Sequence, residues 1–144
     1  MSAEAVKHAA KPVPRTSGEL EPFFVAAKRR RLAVQRCVKC GTLRFPPREI
    51  CSVVGCWSRD SEWTEVSGRG ELWSFYVMHQ VYHPGFAAEV PYPVVVVKLA
   101  EGPKIMSSLL DCPRDRIRVG MPLEVVFEDV TSEVTLPKFR PTSS

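Results

Sequence analysis

Four cysteines in the segment CVKCGTLRFPPREICSVVGC constrain this chain more than any other feature. Cys37 and Cys40 are separated by two residues, ten residues follow, and Cys51 and Cys56 are separated by four. Two close pairs of thiolates can wrap tetrahedrally around one Zn²⁺, with sulfur ligands at about 2.3 Å. Each pair then occupies a tight turn, and the intervening hairpin brings the turns together. Gly41 and Gly55, beside Cys40 and Cys56, supply the backbone freedom such turns need. Four protein thiolates leave no open coordination position, so the expected metal is structural. Iron is the alternative, because rubredoxin-like knuckles use the same four sulfurs. Buried reduced thiols or a redox pair fit the two pairs and their Pro-Pro turn less well.

The fifth cysteine, Cys112 in LLDCPRD, has no nearby cysteine and reads as a half-buried free thiol. An odd count without a leader-like apolar segment at the N-terminus argues against a disulfide framework and for a cytoplasmic chain. No apolar run approaches the roughly 18 residues of a membrane span. The 144 residues fit one or two small units, and no internal repeat divides them. Charge divides them instead. Residues 1–48 hold eleven Lys and Arg against three Asp and Glu, and the remainder nine against thirteen, so a net +4 conceals +8 followed by −4. Such a split suits two units with different partners.

Residues 1–16, with Pro12 and Pro14, read as a flexible lead-in. Residues 17–62 read as a helix and zinc ribbon: Ser17 as cap, Glu19 and Glu21 in the first turn with Pro22, an apolar face of Phe23, Phe24 and Ala27, and Arg29, Arg30 and Arg31 at the C-terminal end. LAVQR and TLRFP flank the first cysteine pair as hairpin strands. Residues 63–144 read as strands with a C-terminal tail: WTEV, ELWSFYVMH, YPVVVVKLA, KIMSSLL, LEVVFEDV and TLPKF, punctuated by Gly, Pro and Asp. In the longest run Trp73, Phe75, Val77 and His79 alternate with Leu72, Ser74, Tyr76 and Met78, and Trp73 and Phe75 are expected in the core. Five or six strands in this length favour a small closed barrel of the oligonucleotide-binding (OB) type over an open sandwich. The predicted fold is therefore mainly β: an N-terminal helix, a rubredoxin-like ribbon, then an OB barrel.

An OB barrel admits a nucleic-acid reading, with Trp73, Phe75, Tyr76, Tyr82 and Phe86 as stacking platform. The −4 balance of residues 49–144, the part that holds the barrel, opposes phosphate tracking. His79 and His83 lie in a long Pro- and aromatic-rich connection, HQVYHPGFAAEVPYP, of the kind that is commonly functional. The two histidines read as acid–base groups or as residues that cap and pack the loop, and no second placed group turns them into a catalytic set.

From about Pro22 to Pro141 the chain resembles the zinc-ribbon/OB-fold family of acyl-CoA-associated proteins, long catalogued as a domain of unknown function. PFFVAAKRRRLAVQRCVKCGTLRFPPREIC looks like its helix, first knuckle and Phe-Pro-Pro-Arg turn. VSGRGELWSFYVMH, HPGFAAEVPYPVVVVKLAEGPKIMSSL, RVGMPLEVVFEDV and TLPKFRP follow in the family's order. The four-residue gap of the second knuckle departs from the family's usual two.

The resemblance implies a thiolase-fold catalytic partner in a heterotetramer, no activity of this chain alone, and a CoA thioester bound with the partner. It implies structural zinc on Cys37, Cys40, Cys51 and Cys56. Lys28, Arg29, Arg30 and Arg31 become candidates for CoA phosphate or the partner surface, and His83, Pro84, Phe86 and Tyr92 for a partner-contact loop. The particular cases it implies are the small subunit of benzoylsuccinyl-CoA thiolase in anaerobic toluene degradation and the accessory subunit of a steroid side-chain acyl-CoA retro-aldolase. The residues do not separate them.

Overall fold

A computed structural model describes residues 10–142. A single 3₁₀ turn, Gly18–Leu20, leads into helix α1, Glu21–Lys28. Eight strands follow: β1 Leu32–Cys37, β2 Leu43–Arg44, β3 Ser61–Val66, β4 Arg69–Met78, β5 Tyr92–Leu99, β6 Lys104–Ser108, β7 Pro122–Asp129 and β8 Thr135–Pro141. They form a three-stranded antiparallel sheet in the order β2-β1-β3 and a five-stranded one in the order β6-β5-β4-β7-β8. The second sheet curls until its outer strands approach. Leu109 bridges to Phe139, the Leu110 amide donates to the Phe139 carbonyl at 2.7 Å, and the Ser107 hydroxyl donates to the Pro137 carbonyl at 2.8 Å. The result is the expected mainly-β fold, a helix and ribbon followed by a nearly closed five-stranded OB-like barrel.

One core serves both parts. Leu32 and Val34 of the ribbon and Phe23 of α1 lie in the same buried cluster as Leu72, Val95, Val97, Leu99, Leu123 and Phe139 of the barrel. Pro22 sits in the first turn of α1, where its missing N–H costs nothing, and Phe23 and Ala27 turn inward, as predicted. The predicted cap is different. Ser17 precedes the 3₁₀ turn in an extended conformation, and its side chain makes no cap bond; its hydroxyl instead accepts from Arg15 Nε at 3.0 Å. The extra 3₁₀ turn moves the start of α1 beyond its reach.

The alternation read into the longest strand also fails at one place. β4 pairs with β7 over residues 69–71 and with β5 over residues 70–78, and its register slips between Leu72 and Ser74. Trp73 is the extra residue of that bulge. Beyond it β7 no longer covers the strand, so Trp73 (47% exposed) and Phe75 (39%) lie outside the core that was expected to hold them. A bulge of this kind re-aims side chains and ends pairing on one side.

Phe139 is fully buried where β8 meets β6. Phe139→Ala should lower unfolding free energy by about 3–5 kcal/mol, the usual loss for a buried aromatic with its cavity. Urea titration followed by tryptophan fluorescence would measure it.

Candidate metal centre and adjoining surfaces

The four predicted cysteines converge. Their Sγ atoms lie within 4.8 Å of one another, with Cys37 to Cys56 at 3.6 Å and Cys40 to Cys51 at 3.7 Å. A tetrahedron with bonds of about 2.3 Å has edges of about 3.8 Å, so the sulfurs are spaced for zinc. Local backbone geometry builds each corner. Cys37 ends β1, and its amide and carbonyl bond Thr42 and Gly41 at 3.0 and 2.8 Å. On the other side the Cys56 amide donates to the Val53 carbonyl, and the Cys51 amide to the Ser58 carbonyl. Gly41 and Gly55 adopt φ of 78° and 86°, the left-handed turns expected of them. The four-residue gap of the second knuckle is spent on an outward tip, where Val54 is 90% exposed.

The electrostatics of the cluster favour a cation. The Cys40 amide draws the Cys37 thiol down to about 6, against an opposing effect of burial. Thr42, through its hydroxyl and its amide, lowers Cys40. The Ser58 amide also draws on Cys56, yet burial and the sulfurs of Cys37, Cys51 and Cys40 together push it up to about 11. Four thiolates crowded this closely repel one another unless a metal ion neutralises them. Cys37, Cys40, Cys51 and Cys56 would hold that ion, and its contribution is to tie two knuckles into one ribbon. Cys112 stands apart, packed against the core with its Sγ 3.6 Å from the Pro113 carbonyl.

The basic segment after α1 is largely engaged within the chain. Arg30 adopts a left-handed φ of 61° and grips Asp129 with two nitrogens, at 2.8 and 2.6 Å. Lys28 Nζ donates to the Ser132 carbonyl, and Arg31 lies 4.0 Å from Glu65. Arg29 has no ion-pair partner among the described residues. The Lys28 and Arg30 contacts clasp the end of α1 to the β7–β8 hairpin, while Arg31 reaches β3 of the ribbon.

In the long connection, Pro84–Phe86 forms a 3₁₀ turn, and His83 Nδ1 accepts from the Gly85 amide at 3.0 Å. His83 thus takes the capping role that is the alternative to acid–base chemistry for it, and a side-chain acceptor directly before a Pro-Gly turn is the local cue. Phe86 stacks near Tyr92, ring centres 5.9 Å apart. Both line a cavity of about 620 Å³, together with Pro12, Val13, Leu109 and Leu136. Lys11 closes its rim by pairing with Glu89 at 2.6 Å. The exposed His79 has no hydrogen-bond partner among the described residues. No helix among the described residues is long and apolar enough to cross a membrane.

The fold and this four-cysteine centre define a zinc-ribbon/OB-fold protein. Residues 24–62 match the rubredoxin-like zinc ribbon domain of ChsH2, and residues 63–128 match its C-terminal OB-fold domain. The chain belongs to the DUF35 family: it is 34% identical over 100 residues to a DUF35 domain-containing scaffold protein of Methanocaldococcus jannaschii, covering 68% of each chain. It is 40% identical over 133 residues to a probable enoyl-CoA hydratase alpha subunit of Thermomonospora curvata, matching 92% of this chain but spanning only 40% of that protein's length. A chain of the solved structure titled "Ltp2-ChsH2(DUF35) aldolase" superposes with a TM-score of 0.79 at 40% identity, covering 90% of this chain and 98% of the other.

Two outcomes test the site and its clasp. The purified chain should carry about one zinc per chain and be colourless, and Cys51→Ser should abolish retention of the metal, read by inductively coupled plasma mass spectrometry; a red, iron-loaded protein would contradict it. At the clasp, the Arg30 guanidinium, then the Thr135 hydroxyl, hold the Asp129 carboxyl well below the usual carboxylate range. A depressed carboxylate contributes stability that is complete above its unfolded value of about 3.9 and is lost as pH falls below it. Asp129→Asn should therefore destabilise the chain at neutral pH, with the gap to wild type narrowing below about pH 4 in urea melts.

Proposed function

We propose that this chain is a non-catalytic subunit of an acyl-CoA enzyme, a zinc-braced scaffold that completes a catalytic partner. The observation carrying this reading is the 40% identity, over nearly all of both chains, to the DUF35 chain of a structure titled as an aldolase. The similarity to a probable enoyl-CoA hydratase alpha subunit, of whose length this chain spans 40%, supports the same reading. In this reading the partner has the thiolase fold, carries the groups that make or break a carbon–carbon bond beside a thioester, and assembles with this chain as a heterotetramer. The chain itself has no activity alone.

Its two contributions are geometric. Phe86 and Tyr92, on the wall of the 620 Å³ cavity, shape the space beside the acyl group. Arg29, which no carboxylate engages among the described residues, is the member of the basic cluster best placed to meet a CoA phosphate. The structural likeness to the aldolase chain favours an acyl-CoA retro-aldolase partner, such as one acting on a steroid side chain; the benzoylsuccinyl-CoA thiolase of anaerobic toluene degradation is the alternative.

Co-expression with the thiolase-fold acyl-CoA enzyme subunits of the same organism, each in turn, tests the reading: one of them is the partner. It and this chain should co-purify, and thioester cleavage or thiolysis should rise at least tenfold over either chain alone. Full activity of the partner without this chain would refute the subunit role.

A further inference from the structure

The barrel leaves one strand unfinished. The Leu72 amide donates to the Met121 carbonyl at 3.0 Å, and the Gly120 amide donates to the Leu72 carbonyl at 2.7 Å. These are the last bonds on that side of β4. From Ser74 to Met78 the strand pairs with β5 only, Trp73 being the bulged residue, and no other strand among the described residues pairs with its second edge. That edge reads WSFYVM, with neither a charge nor a proline. Charges and prolines are the usual devices that stop a bare edge from recruiting another strand. Trp73, Phe75 and Tyr76 are each 39–47% exposed along it.

The surroundings of this edge carry more positive than negative charge, in a barrel whose overall balance is acidic: beside four cations stand two carboxylates, Glu71 in register with Lys98, and Asp115 between Arg114 and Arg116. Lys104 and Lys98 lie over the Trp73 ring, 4.0 and 5.2 Å from its centre. Arg114 and Arg116 are exposed in the turn that leads to Gly120, where the edge opens. None of the four is ion-paired among the described residues. A second copy of this chain would bring WSFYVM flanked by Arg69 and Glu71, a strand with no net negative charge to meet them.

We infer that the open edge of β4 over residues 73–78 receives an extended segment of the enzyme partner as an added strand, and that this segment carries Asp or Glu beside apolar residues. Backbone hydrogen bonds would supply the register, alternate apolar side chains would cover Phe75 and Tyr76, and the carboxylates would answer the lysine and arginine groups. This inference rests on the enzyme-subunit reading and adds where and how the partner docks.

Hydrogen–deuterium exchange of the full chain, alone and with the acyl-CoA enzyme subunit that co-purifies with it, tests it. The expected result is slowed exchange of amides 73–78 in the complex. Tyr76→Lys and the pair Lys98→Glu with Lys104→Glu should each weaken partner affinity at least tenfold in calorimetry, while circular dichroism confirms the fold. A complex that forms without protection of these amides, or with undiminished affinity in both variants, overturns the added strand and leaves the subunit reading standing. Failure of any complex to form overturns both. Protection that grows with concentration in the isolated chain, or that a single-stranded oligonucleotide confers, would assign the edge to a second copy or to nucleic acid and overturn the inference.

Discussion

The convergence of four thiols at the end of β1 is the constraint on which the rest of the molecule depends. Cys37 is the last residue of that strand, and Leu32 and Val34 near its start are buried in the barrel core. Strand β1 is thus anchored at one end by sulfur and at the other by apolar packing. A ribbon this small buries too little surface to order itself, and a metal knot commonly replaces the missing core in such units. Through β1 the order imposed at the knuckles reaches Phe139 and Leu123, far along the chain.

Charge works on the same joint. The basic first third and the acidic remainder invite a reading in which each faces a separate partner, yet several of their ion pairs run between them. Lys11 meets Glu89, Arg30 meets Asp129, and Arg36 meets Glu62 at 2.8 Å. Exposed pairs of this sort contribute little individually and are screened by salt. Arg30 with Asp129 is the exception in geometry, since a two-nitrogen grip fixes orientation as well as distance. The charge split is therefore partly an internal fastening of helix and ribbon to the barrel. Among the described residues, the cations left without an ion pair include Arg29 and those around Trp73.

Which features were legible in the sequence follows from how local their causes are. The metal centre was readable because its ligands and turn glycines lie within twenty residues. The strands were readable because β-branched runs and punctuation repeat along the chain, and the inward faces of α1 followed from helical spacing at Phe23 and Ala27. Ser17 as a cap was misjudged because a 3₁₀ turn and a true helix start carry the same local cues. Trp73 and Phe75 were misjudged because their exposure depends on β7 leaving β4 after Glu71, an event decided some fifty residues downstream. The Arg30 clasp likewise needs a partner 99 positions away, which no window of sequence contains.

The misjudged aromatics carry the last step. A core-forming pattern, placed on a strand that has lost one neighbour, leaves apolar side chains and unpaired backbone groups facing outward together. Evolution removes such edges readily, with a lysine, a proline or a short strand, and this protein has lysines at hand: Lys98 and Lys104 stand one and two strands away, turned onto Trp73 instead of guarding the edge. An edge kept apolar beside unused positive charge is the complement of a definite surface, apolar with carboxylates. On the inference that a partner segment adds the missing strand, assembly completes the barrel, and the same contact that covers Phe75 and Tyr76 fixes how scaffold and enzyme face one another.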